Sequence, residues 1–207
     1  RAVERFPMLA TAGIQTFFNG PESFTPDDRY ILGEAPELKN FFVAAGFNSV
    51  GIQSAGGAGM VLAEWMETGN APIDLWDVDI RRMQPFQANR RYLRTRVSET
   101  LGLLYADHFP YRQFASARGV RRSPIHHYLA DHGACFGEVS GWERANWFLP
   151  EDAVNSGKTA AYEYSWKRQN WFDYSAAEHL AVRQSVGLFD MSSFGKIKVV
   201  GRDAEAV

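Results

Sequence analysis

The pattern of apolar and polar positions predicts a strand, a glycine turn and a helix between residues 41 and 69. Phe41 to Ala45 is a short apolar run rich in β-forming residues, which is typical of a buried strand. The run breaks at Gly46, and from Val50 apolar residues recur at helical spacing until Gly69, which ends the pattern. The apolar positions of this helix are Ile52, Ala55, Val61, Leu62, Trp65 and Met66.

Weaker patterns predict further elements along the chain. We expect strands over residues 14–18, 134–139 and 195–200, helices over 89–106 and 175–185, and a polar loop over 151–159. In the 89–106 helix one face is apolar, formed by Tyr92, Val97, Leu101, Leu104 and Tyr105. Arginines at positions 90, 91, 94 and 96 should occupy the other face.

Composition narrows the class of protein. A chain of 207 residues with 45% hydrophobic residues indicates one or two globular domains. The net charge of -2 gives no electrostatic reason to expect nucleic acid or an anionic membrane as a partner. The apolar runs fall far short of the roughly 20 residues that a membrane span needs. A single cysteine, Cys135, excludes an internal disulfide and fits a reducing compartment.

Several common chemistries find no support in the motifs. The sequence has no Gly-x-Ser-x-Gly elbow for a serine hydrolase, and we predict no catalytic residue in this chain. His126 and His127 are adjacent, and with His132 and Cys135 they lack metal-ligand spacing, so we predict no metal site. Cys135 lies in an apolar run, where an inert core thiol is expected.

The basic residues have two interpretations. Arg118, Arg121 and Arg122, with the arginines of the 89–106 helix, would suit a phosphate group. They would equally suit a solvated face on which they pair with carboxylates, and the balanced charge of the chain favours this second interpretation.

The glycine-rich helix also has two interpretations. A helix that begins after a strand and a glycine turn presents free main-chain N–H groups and partial positive charge to a polar or anionic ligand. Glycines at positions 51, 56, 57 and 59 would allow close approach by a cofactor, or by a sheet packed tightly against the helix. The segment lacks the Gly-Lys-Ser/Thr of a Walker loop and the spacing of Gly-x-Gly-x-x-Gly.

Motifs along the whole chain resemble the sarcosine and dimethylglycine dehydrogenases. They occur in the same order, at residues 19–27 (NGPESFTPD), 33–38 (GEAPEL), 46–51 (GFNSVG), 79–82 (DIRR), 141–144 (GWER), 170–172 (NWF) and 189–196 (FDMSSFGK). The chain starts at Arg1 without an initiator Met and stops within a helix-like segment, so we expect a piece of a longer polypeptide.

The resemblance implies an α/β and α+β organisation in three parts. Residues 1–72 would be the end of a D-amino-acid-oxidase-like FAD domain, and 73–131 the small middle domain. Residues 132–207 would begin an aminomethyltransferase-like, folate-binding domain. The resemblance also implies that the phosphate-binding fingerprint lies upstream and the folate pocket downstream, so the fragment alone should be inactive.

The resemblance gives the glycine helix a role in binding FAD. The residues implied as cofactor-binding are Asn48, Ser49, Val50, Gly51, Ile52 and Gln53. Main-chain N–H groups there would stabilise negative charge on the pyrimidine end of the flavin, and the Gln53 side chain would donate to the same edge. Many relatives that oxidise amino acids carry an Arg before the Pro of an earlier turn. Here that stretch is Asn19-Gly20-Pro21, so the substrate carboxylate must bind elsewhere.

The implied activity is oxidation of sarcosine, dimethylglycine or a larger N-methyl amine, with transfer of the one-carbon unit to tetrahydrofolate. Dehydrogenases of this family pass electrons to an electron-transfer flavoprotein and oxidases use oxygen, and the sequence does not separate them. The location would be cytoplasmic in a bacterium and the mitochondrial matrix in a eukaryote. The alternative is a non-catalytic regulator with the same architecture, like the regulatory subunit of pyruvate dehydrogenase phosphatase.

Overall fold

The computed structural model describes residues 1–206, which mix helices and strands. The α-helices are α1 (Ala2–Arg5), α2 (Gly51–Thr68), α3 (Arg90–Tyr105), α4 (His126–Asp131), α5 (Glu151–Asn155) and α6 (Phe172–Gln184). The strands are β1 (Ile31–Glu34), β2 (Phe42–Ala45), β3 (Ala134–Val139) and β4 (Trp142–Phe148). Short 3₁₀ turns lie at Pro7–Ala10, Ile80–Arg82 and Pro85–Ala88.

The first core forms where α2 packs against an antiparallel hairpin of β1 and β2. Its buried residues are Leu32, Ala58, Val61, Leu62 and Trp65. Trp65 lies against Gly33, where an added Cβ would come within 2.8 Å of the indole ring and the φ angle is +121°. Glycine is therefore needed at position 33 because neither the space nor the backbone suits a side chain.

The second core lies on one side of the β3–β4 hairpin, which is also antiparallel. Cys135, Trp147 and Leu149 are buried there, and the ring of Tyr174 in α6 stacks on Trp147 with centroids 5.3 Å apart. A register shift between Cys135 and Phe136 interrupts the ladder. Such a bulge bends the strand locally.

A connector between α3 and α4 forms a single β-bridge to the second hairpin. Arg121 pairs in parallel with Trp142, and its N–H donates to the carbonyl of Gly141 at 2.9 Å. The Arg121 carbonyl accepts from the N–H of Glu143, also at 2.9 Å. The connector is therefore hydrogen-bonded to the second hairpin by its main chain.

The structure confirms several predicted elements: a strand ending at Ala45, a helix ended by left-handed Gly69, a helix over 90–105, and the strand at 134–139. The strand ending at Ala45 is not buried as predicted, because Phe42 and Val43 are partly exposed and Ala44 and Ala45 exposed. The predicted helix over 175–185 spans Phe172–Gln184. Within the described residues, no helix is long and apolar enough to cross a membrane.

Other predicted elements were wrong. Residues 14–18 and 195–200 are not strands; Ile14, Phe17 and Ile197 are exposed, and no described strand pairs with either segment. A strand is stable only when its N–H and C=O groups are paired, and composition alone cannot supply the partner. The loop predicted at 151–159 begins with α5, and β1 was not predicted. On α3 the buried residues are Arg96 and Thr100, so the arginine face is not wholly solvated.

Candidate functional site

The six sequence-predicted site residues are divided between the turn after β2, which holds Asn48, Ser49 and Val50, and the start of α2, which holds Gly51, Ile52 and Gln53. We call residues 46–50 the 46–50 turn. Gly46, Asn48 and Ser49 have φ angles of 64°, 49° and 65°. Left-handed conformations at non-glycine residues cost about 1–3 kcal/mol each and persist where surrounding contacts impose them.

Asn48 supplies the contacts that hold this turn. Its side chain is 2% exposed, and its Oδ1 accepts from the N–H of Thr25 at 2.7 Å. Its Nδ2 donates to the carbonyl of Gly46 at 2.8 Å and to Oγ1 of Thr25 at 3.1 Å. All these partners belong to the protein, so the structure gives the Asn48 side chain a positioning role.

The N-terminus of α2 carries free hydrogen-bond donors. The first helical bond runs from the N–H of Ser54 to the carbonyl of Val50 at 3.1 Å, and no side chain caps the helix. The N–H groups of Gly51, Ile52 and Gln53 precede that bond and have no carbonyl of the helix to accept from them. Ile52 and Gln53 are exposed, so the donors face a surface rather than a core.

The glycines of α2 do not serve packing within the described residues. An added Cβ at Gly56, Gly57 or Gly59 would meet nothing within 4 Å, and at Gly51 it would meet Phe47 at 3.5 Å, an ordinary contact. The face of α2 packed on the hairpin consists of other residues, Ala58, Val61, Leu62 and Trp65. Each glycine costs a helix about 0.5–1 kcal/mol relative to alanine. Close packing on the β1–β2 sheet therefore does not explain these glycines.

Helix α3 also contacts the 46–50 turn. The hydroxyl of Tyr105 donates to Oγ of Ser49 at 2.5 Å. Five residues earlier, Oγ1 of buried Thr100 lies 3.3 Å from the carbonyl oxygen of Thr25, the residue that pairs with Asn48. These contacts were not predicted from the sequence. Tyr105 was placed on an apolar face, and no local motif predicts a hydrogen bond between residues that lie 56 positions apart in the sequence.

Two of the basic residues, Arg96 and Arg118, pair with carboxylates as the second interpretation predicted, but Arg96 is buried and not on a solvated face. Arg118 donates to both oxygens of Glu143, with Nε 2.9 Å from Oε1. Arg96 is buried and its Nη1 lies 2.7 Å from Oε2 of Glu138. Arg121 instead lies over the ring of Trp142, 4.3 Å from its centroid. The arginines at 96 and 118 therefore serve the contact between the connector, α3 and the second hairpin.

The pair of Arg118 and Glu143 makes stability depend on pH. Burial raises the pKa of Glu143, but hydrogen bonds from Arg118 and the Gly119 N–H outweigh it, so the pKa falls below its ordinary value of 4.5. A depressed carboxylate pKa contributes stability above about pH 4.5 that is lost as the pH falls through the folded-state pKa. We expect Glu143→Gln to lower the melting temperature of the full-length protein at pH 7 and to flatten its decline between about pH 5 and 3.

The matched control is Glu151→Gln, since Glu151 is exposed at the start of α5. The melting temperature of this control should decline with falling pH as that of the wild type does, between about pH 5 and 3. Parallel declines in wild type and Glu143→Gln would contradict the assignment.

The remaining candidate residues give no reactive centre. Cys135 is buried, and burial raises the pKa of its thiol to about 11, as expected of an inert core residue. The ring of His126 stacks on Phe136 with centroids 4.2 Å apart. Among residues 1–206, no group of His, Cys, Asp and Glu side chains is arranged to hold a metal ion.

Three family models match consecutive parts of the chain. Residues 1–65 match the FAD dependent oxidoreductase model and residues 68–123 match its central domain. Residues 125–207 match the GCVT N-terminal domain. The 46–50 turn and the start of α2 thus lie in the first match, and α3 lies in the second.

Curated relatives align along almost the whole chain. The 4-methylaminobutanoate oxidase (formaldehyde-forming) of Paenarthrobacter nicotinovorans is 52% identical over 96% of this chain and 23% of its own length. Mitochondrial sarcosine dehydrogenase of Mus musculus is 36% identical over 98% of this chain and 24% of its own length. The mitochondrial pyruvate dehydrogenase phosphatase regulatory subunit of Mus musculus is 36% identical over 99% of this chain and 23% of its own length. The chain thus spans about a quarter of the length of these relatives.

Proposed function

Because the chain belongs to the family of FAD-dependent oxidoreductases joined to aminomethyltransferase-like domains, and spans the junction between them, we propose that it is part of a flavin-dependent N-demethylating enzyme. The observation that supports this most is the uncapped start of α2, where free N–H groups and open glycines adjoin a rigid turn. Such a surface suits a planar cofactor edge that carries negative charge.

The residues present fit FAD at this position. The N–H groups of Gly51, Ile52 and Gln53 would hold the pyrimidine edge of the ring, and the Gln53 side chain, which is exposed, would add a donor. Asn48 fixes the turn through Thr25 and Gly46. When bound, FAD would accept a hydride from the N-methyl carbon of the amine. The part this chain plays is to stabilise negative charge at the cofactor edge with preorganised donors.

We propose a methylamino acid longer than sarcosine as the substrate class. The relative named for 4-methylaminobutanoate is 52% identical to this chain, and the sarcosine dehydrogenase is 36% identical. Sarcosine and dimethylglycine are the competing substrates.

The second half of the proposed reaction uses the aminomethyltransferase-like part. Residues 125–207 match the GCVT N-terminal domain, which supports tetrahydrofolate as acceptor of the one-carbon unit. The electrons would pass to oxygen in an oxidase or to an electron-transfer flavoprotein in a dehydrogenase. Because the mouse sarcosine dehydrogenase is mitochondrial by name, we propose the mitochondrial matrix for a eukaryotic member and the cytoplasm for a bacterial one.

The test uses the full-length protein. We expect it to be yellow on purification and its visible flavin band to bleach when 4-methylaminobutanoate is added without oxygen, faster than with sarcosine or dimethylglycine. Return of colour on admitting air as fast as catalytic turnover would identify an oxidase, and much slower return would indicate a dehydrogenase. A yellow protein that none of these amines bleaches would refute the substrate class, and a protein that stays colourless after incubation with FAD would favour the regulatory alternative, which the match to the phosphatase subunit supports.

A further inference from the structure

We propose that helix α3, in the segment matching the central domain, sets the geometry of the 46–50 turn, and that Tyr105 is a positioning residue for the cofactor. The proposal rests on the proposed function, because it concerns the same site. It assigns a role to two side chains, Tyr105 and Thr100, that lie outside the segment matching the FAD dependent oxidoreductase model.

The turn is a part of the chain that needs external support. Asn48 and Ser49 both have left-handed φ angles, at 49° and 65°, although neither is glycine. Two such residues in succession cost about 1–3 kcal/mol each unless contacts hold them. Asn48 is held by its buried bonds to Thr25 and Gly46, but Ser49 is exposed and has no such buried network of its own.

The contact that Ser49 makes comes from α3. Tyr105 Oη donates to Ser49 Oγ at 2.5 Å, from the last residue of the helix. The tyrosine is 67% exposed, so packing does not explain its position, and the hydroxyl is the atom that reaches the turn. Ser49 adjoins Val50, whose carbonyl accepts the first bond of α2, so its orientation affects the direction of the free donors at residues 51–53.

Thr100 forms a second, buried link between α3 and the same turn. Its side chain is 1% exposed, and Oγ1 lies 3.3 Å from the Thr25 carbonyl oxygen. The same hydroxyl lies 3.0 Å from the carbonyl oxygens of Arg96 and Val97, so its one proton is shared among three acceptors. Thr25 in turn bonds Asn48 through its N–H and its hydroxyl. Helix α3 thus reaches Asn48 through Thr25, and Ser49 directly.

If Tyr105 is a positioning residue, its replacement should change the reduction potential of the bound flavin, which a loss of protein stability alone would not do. If the donors at residues 51–53 stabilise negative charge on the reduced cofactor, then a less ordered turn makes reduction less favourable. We expect Tyr105→Phe in the full-length holoenzyme to lower the equilibrium constant for two-electron reduction of the flavin about tenfold, equivalent to a potential about 30 mV lower. Flavin content and melting temperature should stay close to wild type, because Tyr105 is largely exposed and the buried bonds of Asn48 to Thr25 and Gly46 remain.

The second variant is Thr100→Val, which keeps the side-chain volume and should lower the potential in the same direction by a smaller amount. Two controls remove the same groups elsewhere. Thr95→Val deletes a hydroxyl that bonds only carbonyls of its own helix, and Tyr128→Phe deletes an exposed phenol on α4 that stacks on His132. Neither should change the potential.

The measurement is the reduction potential by equilibration with a reference dye, together with flavin content per protein. A yellow wild type whose potential is unchanged in Tyr105→Phe would overturn this inference and leave the proposed function intact. A wild type that binds no flavin would overturn the proposed function and this inference with it.

Discussion

Replacing Gly51 with aspartate should abolish flavin binding by the full-length protein while leaving it folded. Gly51 is the first residue of α2, and an added Cβ would make only an ordinary contact with Phe47. An acidic residue in the first turn stabilises a helix by about 0.3–1 kcal/mol, so the fold should not suffer. The same carboxylate would repel negative charge on a cofactor edge and accept the hydrogen bonds that the edge needs. We expect the dissociation constant for flavin to rise by at least about tenfold, equivalent to about 1.4 kcal/mol, and the flavin absorbance per purified protein to fall with it.

Two further variants at this position separate the effect of the negative charge from that of the added side-chain volume. Gly51→Ala should retain flavin, because the methyl group is tolerated on the protein side. Gly51→Asn has nearly the shape of aspartate without its charge, so it should retain more flavin than the aspartate variant. Normal flavin content in Gly51→Asp, measured from the visible spectrum after denaturation and protein quantitation, would remove the start of α2 from the cofactor site.

Breaking the buried pair of Arg96 and Glu138 should produce the largest loss of stability. Both side chains are nearly inaccessible, at 2% and 3% exposure. Arg96 also donates to the carbonyl of Ser116 at 2.7 Å and lies over the ring of Phe114, 4.3 Å from its centroid. Removing one partner leaves a buried charge without compensation, which typically costs about 3–5 kcal/mol. We expect Arg96→Met to destabilise β3 by this amount.

Hydrogen exchange of the β3 amides in the full-length protein measures this loss locally. The double variant Arg96→Met with Glu138→Leu should recover part of the stability, because it removes the uncompensated charge as well. Arg94→Met is the matched control, since Arg94 is exposed on the same helix and its replacement should change stability by less than about 0.5 kcal/mol. If the β3 amides were equally protected from hydrogen exchange in Arg96→Met and Arg94→Met, the buried pair would contribute nothing to the stability of β3.

The sequence predicted those parts of the fold that local chemistry decides. Gly69 ends α2 because a left-handed residue is needed there, and Asn89 caps α3 by accepting from the N–H groups of Arg91 and Tyr92. The 46–50 turn was predicted from the glycine break between an apolar run and a helical pattern. In each case the signal lies within a few residues of the feature that it predicts.

The sequence did not predict the features that depend on distant partners. Arg96 was assigned to a solvated face because its neighbours on α3 are arginines, and its carboxylate partner lies 42 residues away. The link from Tyr105 to Ser49 and the pairing of Arg121 with the second hairpin are equally non-local. The cofactor role of residues 48–53 came from the resemblance, and the structure adds the fit of its free donors and open glycines. The role itself stays a prediction until flavin binding is measured.

The hydrogen-bonded connector between α3 and the second hairpin bears on how such proteins can be recombined in evolution. Two family matches meet between residues 123 and 125, yet Arg96 and Arg118 lie before that point and their carboxylates, Glu138 and Glu143, lie after it. A gene exchange at the boundary would combine arginines and glutamates from different ancestors, and each mismatch would bury an unpaired charge. The segment from α3 to β4 is therefore expected to be inherited as one block. A chimaera joined before α3 should express better than one joined at residue 124.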